Sequence, residues 1–244
     1  MWSYHAVVLT DPGTVPDGWT PSPDVPRQDW VGDGNPLRPG STVHLASAGL
    51  LPSACPKCRR WRPPRAHHCS ARGECVLRMD HYCLWTVNTI GLRNYKFFIL
   101  FLLYACLATA LAVALAGPAA VDVLLRGGQR GRTGSDTALL VSASMASGLS
   151  VSLLLFLLMH WGMVRRNYTS IEAGYFELSP AAWPLDRGAA LNFREVFGWD
   201  AILWAVPLVS ARDARRMLAQ ALEYDPGDGG PWGGGAGGAG AQEV

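Results

Sequence analysis

Two stretches of the chain are apolar almost throughout, and the segments between and around them show no sustained hydrophobic period. Residues 97–117 and 138–163 contain no Asp, Glu, Lys or Arg. At 1.5 Å per helical residue each is long enough to cross a hydrocarbon layer of about 30 Å. A buried core helix of a soluble protein reads the same way once, but two such runs in 244 residues point to membrane. The second run carries Ser142, Ala143, Ser144, Ala146, Ser147 and Gly148. Small side chains let helix backbones approach in lipid, so the two spans are expected to pack together.

The remaining segments follow from turn and period signals. Residues 1–49 are rich in Pro, Gly and Asp and read as an irregular cytosolic arm. Residues 50–96 hold most of the cysteines and little apolar sequence. Residues 118–137 read as a lumenal loop, and 164–226 as a cytosolic C-terminal region. Within the latter, 192–209 is aromatic and apolar yet too short in its apolar core to cross, so an interfacial segment is expected. Residues 211–224 have the period of a short amphipathic helix, and the Gly-rich stretch 227–244 reads as a disordered tail.

Composition narrows the class. Hydrophobic residues make up 49% and charged ones 16%, with a formal net charge of +2. That balance argues against nucleic acid as a partner. The first ten residues lack the cationic start and cleavage site of a secretory leader. Five of the six cysteines fall between residues 55 and 83, interleaved with histidines, which fits metal ligation better than a disulfide framework and places them in a reducing cytosol. Arg93 and Lys96 before the first span and Arg165 and Arg166 after the second put both flanks on the cytosolic side. The expected fold class is an all-α multipass membrane protein with a small zinc-binding, cysteine-rich cytosolic domain of short hairpins and loops.

Two constellations carry chemistry. Cys55 and Cys58, with His68 and Cys75, offer three thiolates and an imidazole, the donor set of a closed tetrahedral zinc site; a redox thiol pair is the rival reading. In Asp80-His81-Tyr82-Cys83, residues two apart on an extended segment point to the same side. An imidazole there can take the thiol proton while the carboxylate orients the ring, or both residues can simply ligate zinc.

The run from Cys55 through Asp80-His81-Tyr82-Cys83 to Asn94-Tyr95-Lys96-Phe97-Phe98 resembles the Asp-His-His-Cys cysteine-rich domain of the protein S-acyltransferases, or palmitoyltransferases. Asp11-Pro12-Gly13 resembles the turn that precedes that domain in the family. Thr169-Ser170-Ile171-Glu172 resembles its Thr-Thr-x-Glu motif, and Asn192 with Val196-Phe197-Gly198 its C-terminal aromatic motif. The likeness covers roughly residues 8–205 in order.

The resemblance implies that Cys83 accepts an acyl group from palmitoyl-CoA and passes it to membrane-proximal cysteines of substrate proteins at the lipid bilayer. His81 would act as base and Asp80 would orient it. It implies an integral membrane protein of the Golgi or another endomembrane, with the cysteine-rich domain facing the cytosol. Arg59, Arg60, Arg62 and Arg65 are candidates to meet the phosphates of coenzyme A, solvated or lipid-facing charge being the other reading.

This chain departs from the family pattern in three ways. Tyr82 stands where the family has histidine, and Leu84 where it has proline. Of the family's two zinc sites, the first maps onto Cys55, Cys58, His68 and Cys75, while the second maps onto Cys69, Arg72, Tyr82 and Thr89. A single remaining cysteine cannot hold a tetrahedral ion, so one zinc is expected, with Cys69 a free thiol. Two spans that usually precede the Asp-Pro-Gly turn are not in these residues. An inactive scaffold that keeps the fold is therefore the alternative to an enzyme.

Overall fold

Three short antiparallel hairpins succeed one another at a spacing of 14 residues: β1 (Ser53–Cys55) with β2 (Arg60–Arg62), β3 (His67–Cys69) with β4 (Glu74–Val76), and β5 (His81–Cys83) with β6 (Asn88–Ile90). Each first strand ends in a cysteine, and each turn contains a residue in the left-handed region, Arg59 at φ 53°, Gly73 at 73° and Val87 at 48°. The first two turns close alike, with Arg59 N–H on Cys55 O at 2.8 Å and Gly73 N–H on Cys69 O at 2.9 Å. Strands of three residues bury too little to stand alone, so they depend on what joins hairpin to hairpin. These six strands are the short hairpins expected of the cysteine-rich domain, and they confine the all-α description to the segments outside it.

The computed structural model describes residues 1–23, 50–126, 133–178 and 183–223. The Gly-rich tail and the middle of the 118–137 connection lie outside these residues. Within them, helix α1 (Trp2–Leu9) replaces the irregular start expected of the arm. Its WSYHAVVL sequence has no glycine or proline before the Asp11-Pro12 stop. Asn88 closes the carbonyl end of α1, its Nδ2 donating to Val7 O, Val8 O and Thr10 O at 2.9, 3.3 and 3.0 Å.

Helices α2 (Tyr95–Arg126) and α3 (Gly134–Arg166) are long and apolar enough to cross a membrane and pack on each other. Both run further than the apolar runs 97–117 and 138–163, into the segment expected as a loop. Asn94 tethers the start of α2, accepting from Phe98 N–H and Gly91 N–H and donating to Thr89 O. Thr133 caps α3 through a reciprocal pair with Asp136. Near the hairpins α2 is buried, with Phe98, Ile99, Leu100 and Leu102 in one cluster with Val7, Val164 and Phe197. Further along, Leu111, Leu115, Met145 and Leu155 are exposed, apolar surface that no described residue covers.

The Asp-Pro-Gly turn docks the arm onto the second hairpin. Asp11 Oδ1 accepts from Gly13 N–H at 2.8 Å, and Thr14 pairs with Val76. Gly91 sits at the point of closest approach: a Cβ there would lie 2.6 Å from Val76 Cγ1 and 2.9 Å from Pro12 O. After α3 the chain forms α4 (Ala173–Leu178), α5 (Ala189–Phe197), a 3₁₀ turn (Ala201–Leu203) and α6 (Ala211–Leu222); α5 packs on the two long helices, and the end of α6 packs on the hairpins through Ala221 and Leu222. Lys96, counted above as a flanking cation, is instead buried, donating from Nζ to Leu203 O at 2.8 Å and Leu208 O at 2.6 Å.

Candidate active site and metal centre

The spacing of the hairpins organises the chemistry. Cys55 and Cys58 come from the first hairpin, and His68 and Cys75 form a cross-strand pair on the second. Their four donor atoms lie within 4.8 Å of one another. Cys58 Sγ is 3.2 Å from His68 Nδ1 and 3.7 Å from Cys75 Sγ, and Cys55 Sγ is 3.7 Å from His68 Nδ1. Zinc bonded at about 2.3 Å to sulfur and about 2.0 Å to nitrogen spaces its tetrahedral donors by about 3.5–3.8 Å. The donors fit that ion. Burial, then the adjoining Cys55 and Cys58 sulfurs, pushes the Cys75 thiol up to about 12. Thiols this close can all ionise only around a cation.

Advancing each ligand by one repeat gives Cys69, Arg72, Tyr82 and Thr89. Here Cys69 Sγ meets Thr89 Oγ1 at 3.0 Å, while Tyr82, like Ile171, packs against the cluster of Cys69, Val76 and Met79. Arg72 turns outward to Glu74 Oε1 at 2.6 Å, Asn88 Oδ1 at 3.3 Å and Asp11 Oδ2 at 3.2 Å. A side-chain lattice joins the second hairpin to the third at this position.

One repeat further, Cys83 ends β5 as Cys55 ends β1, but the next ligand positions fall in helix α2 at Lys96 and Leu103. Its sulfur therefore keeps the thiolate-favouring loop without ligands to share an ion. At Cys55 that loop supplies Cys58 N–H at 3.4 Å from the sulfur. At Cys83, burial by itself would hold the thiol up. The neighbouring His81, then Thr86 and Trp85, outweigh it and bring the thiol down to about 7.

The imidazole of His81 is set by its neighbour. His81 Nδ1 is 2.6 Å from Asp80 Oδ2. Burial opposes the charged ring, but the bonds to Asp80 and Cys83 and the negative charge of both raise it to about 9. Asp80 is itself buried, which favours its neutral form. Bonds from His81 and from Ser170 N–H prevail and keep the carboxyl below its ordinary range. Over roughly pH 7 to 9 this leaves an imidazolium beside a thiolate.

A second layer explains Thr169-Ser170-Ile171-Glu172. Ser170 binds Asp80 through its N–H and its hydroxyl. Glu172, fully buried, takes Arg65 Nε at Oε1 (2.7 Å) and Nη2 at Oε2 (2.8 Å). Arg65 also reaches Asn167 Oδ1 and O at 3.1 and 3.2 Å. Arg65, expected among the arginines for coenzyme A, is thus committed to the interior as the partner of a buried carboxylate. Arg62 bonds Ser53 Oγ at 2.8 Å and Arg60 pairs with Asp17, whereas Arg59 stands exposed at its turn.

Two residues were missed by sequence reasoning. Asn167, left-handed at φ 56°, ends α3 and gathers Arg65, Arg78, Leu185 O, Glu195 and Trp183. Asparagine after two arginines at a helix end is a signal that could have marked it. His160, buried within α3, lies beside His81 with ring centroids 6.0 Å apart. A lone polar ring in an apolar run is its only sequence trace.

Comparison with known proteins bears on the whole constellation. A family profile described as DHHC palmitoyltransferase matches residues 51–174. "Probable protein S-acyltransferase 13" of Arabidopsis thaliana is 39% identical, covering 90% of this chain and 71% of that protein. "Probable protein S-acyltransferase 14" of the same plant is 38% identical over 92% and 73%. "Palmitoyltransferase ZDHHC15A" of Danio rerio is 34% identical over 69% and 52%.

Proposed function

The chain belongs to the DHHC palmitoyltransferase family, and from that premise we propose that it transfers a long-chain acyl group from palmitoyl-CoA to cysteines of substrate proteins through Cys83. The observation that carries this reading is the alignment of Asp80, His81 and Cys83, with the ring raised to about 9 and the thiol lowered to about 7.

The Cys83 thiolate attacks the thioester carbonyl carbon, a carbon–sulfur bond forms, and the carbonyl π pair moves to oxygen. As the carbonyl re-forms, the bond to the coenzyme A sulfur breaks and that sulfur takes the proton from His81. A substrate thiol then gives its proton to His81 and attacks the acyl-enzyme, releasing Cys83 as thiolate. Each displacement exchanges one thioester for another, so the barrier lies in generating the thiolate and stabilising the charged intermediate. Asp80 keeps the ring oriented through both. Zinc held by Cys55, Cys58, His68 and Cys75 would supply folding energy for the hairpins and no step of the transfer.

An acyl chain needs an apolar groove that opens at Cys83. A groove of about 330 Å³ between α1 and α2 is lined by Ser3, Tyr4, Phe101, Tyr104, Ala105 and Ala108. Tyr4 Oη donates to Trp85 O at 3.4 Å, which ties that groove to the loop after Cys83. A slightly larger one, about 380 Å³, lies among α2, α3 and α5 around Leu103, Trp161, Phe193 and Trp204, and none of its lining residues belongs to that loop. The first is the better acyl path. Exposed Arg59, with Arg60, is the remaining candidate for the phosphates of coenzyme A.

On this reading α2 and α3 span an endomembrane such as the Golgi, the hairpins face the cytosol, and substrate cysteines approach along the bilayer. The test is incubation of purified protein with labelled palmitoyl-CoA. Hydroxylamine-sensitive label that is absent from Cys83→Ser and present in Cys69→Ser is expected. An unlabelled wild-type protein would favour a scaffold role instead.

A further inference from the structure

His160 takes no part in the scheme above, yet it is a polar side chain only 1% exposed. Its ring is enclosed by Phe156, Phe98, Tyr95 and His81, at centroid distances of 4.6, 5.1, 5.8 and 6.0 Å. Nδ1 lies 3.0 Å from Tyr95 Oη. Nε2 has no hydrogen-bond partner among the described residues.

These contacts decide the tautomer. The Tyr95 hydroxyl is buried and has His160 Nδ1 as its hydrogen-bond partner among the described residues. Were Nδ1 protonated, both the phenolic hydrogen and the Nε2 lone pair would be unsatisfied. With the phenol donating to Nδ1, only one group is left over, an Nε2–H. A buried donor with nothing to donate to is destabilising, so its retention calls for an acceptor that arrives with a ligand.

The location identifies the acceptor. Phe98 touches both His81 and His160, at 5.1 Å each, and packs in one cluster with Cys83. The Asp80 oxygens are already occupied, Oδ2 by His81 and Oδ1 by Ser170. What acyl transfer brings beside His81 and Phe98 is a thioester carbonyl oxygen, which gains a full negative charge on attack.

We propose that His160 Nε2–H is the donor that holds this oxygen, with Tyr95 fixing the tautomer from behind. The inference rests on Cys83 being the acyl carrier. As the Cys83 sulfur bonds to the carbonyl carbon and the π pair shifts to oxygen, the hydrogen bond from His160 shortens without transferring its proton. As the carbonyl re-forms and the coenzyme A or Cys83 sulfur leaves, it relaxes. His81 handles every proton, and His160 neither gains nor loses one. Tyr95 is a positioning residue.

The experiment compares two reactions of the same sulfur in the purified full chain. Acyl-enzyme formation from labelled palmitoyl-CoA builds charge on a carbonyl oxygen, whereas alkylation of Cys83 by iodoacetamide is a displacement at a methylene carbon that builds none. For His160→Phe, acylation is expected to slow by about 100- to 1000-fold, the range for loss of one such donor. Alkylation, its pH profile, the KM for palmitoyl-CoA and zinc content are expected to stay as in wild type. His160→Gln, which keeps a side-chain N–H, is expected to recover part of the rate, and Tyr95→Phe to lose less than His160→Phe. Undiminished acylation in His160→Phe, or acylation and alkylation falling together, would overturn the proposal while leaving Cys83 as carrier. A wild-type protein with no Cys83-dependent label would overturn the acyltransferase reading, and this assignment with it.

Discussion

Ser170 grips Asp80 at both ends across 90 residues of sequence, its N–H 2.8 Å from Oδ1 and its hydroxyl 2.7 Å from the backbone carbonyl. The polar motif after α3 therefore sets the carboxylate that sets His81, and through it the reactivity of Cys83.

That chain of contacts fixes a pH dependence. The lowered Cys83 thiol is ionised above about 7 and protonated below it, so alkylation by iodoacetamide is expected to rise with pH through a midpoint near 7. Asp80→Asn removes the charge that favours the imidazolium, and the midpoint should climb toward the ordinary cysteine value of about 8.5. Ser170→Ala should shift it the same way by less. A midpoint unmoved in Asp80→Asn would separate Asp80 from the thiol's activation.

Metal content follows from the repeat. One zinc per chain is expected, lost in Cys55→Ser and Cys75→Ser together with the fold of the first two hairpins, and retained in Cys69→Ser. Two zinc ions per chain by elemental analysis would contradict the reading of Cys69 and Thr89 as a hydrogen-bonded pair.

The Arg65–Glu172 pair is a structural commitment rather than a ligand contact. Arg65→Leu strands a buried carboxylate and should cost about 3–5 kcal/mol in unfolding free energy, whereas removing both charges in Arg65→Leu with Glu172→Leu should cost less than the single change. Thermal unfolding in detergent gives the comparison. A double variant less stable than Arg65→Leu would show that the pair is not what Glu172 requires.

Val87 is a β-branched residue at φ 48°, exposed and four positions past Cys83. Left-handed backbone costs such a residue about 1–2 kcal/mol, so Val87→Asn is expected to raise the melting temperature.

Much of this site could be read from sequence because metal and nucleophile positions depend on local spacing. Cys55, Cys58, His68 and Cys75 converge as their types suggested, and Asp80 and His81 meet as neighbours on one strand. Hydrophobic runs marked α2 and α3, since apolar length is the main requirement for crossing lipid. Other features were hidden because they depend on contacts distant in sequence. Nothing local to Arg65 says that Glu172 waits 107 residues on, and nothing local to Lys96 says that Leu203 and Leu208 will present carbonyls to it. Helix α1 was overlooked because eight residues before a Pro-Gly stretch carry little period of their own; Asn88 and α2 hold it. The hairpin repeat was legible as cysteines at 55, 69 and 83, but only the register shows that the intervening positions correspond.

Asn88, which closes the end of α1, also stands directly opposite Cys83 in the third hairpin. The height of the sulfur is therefore fixed to helix α1 through Asn88 as well as to the second hairpin through Arg72 and Cys69. On the acyltransferase reading, the sulfur that carries the acyl group is held at one fixed level along the two long helices.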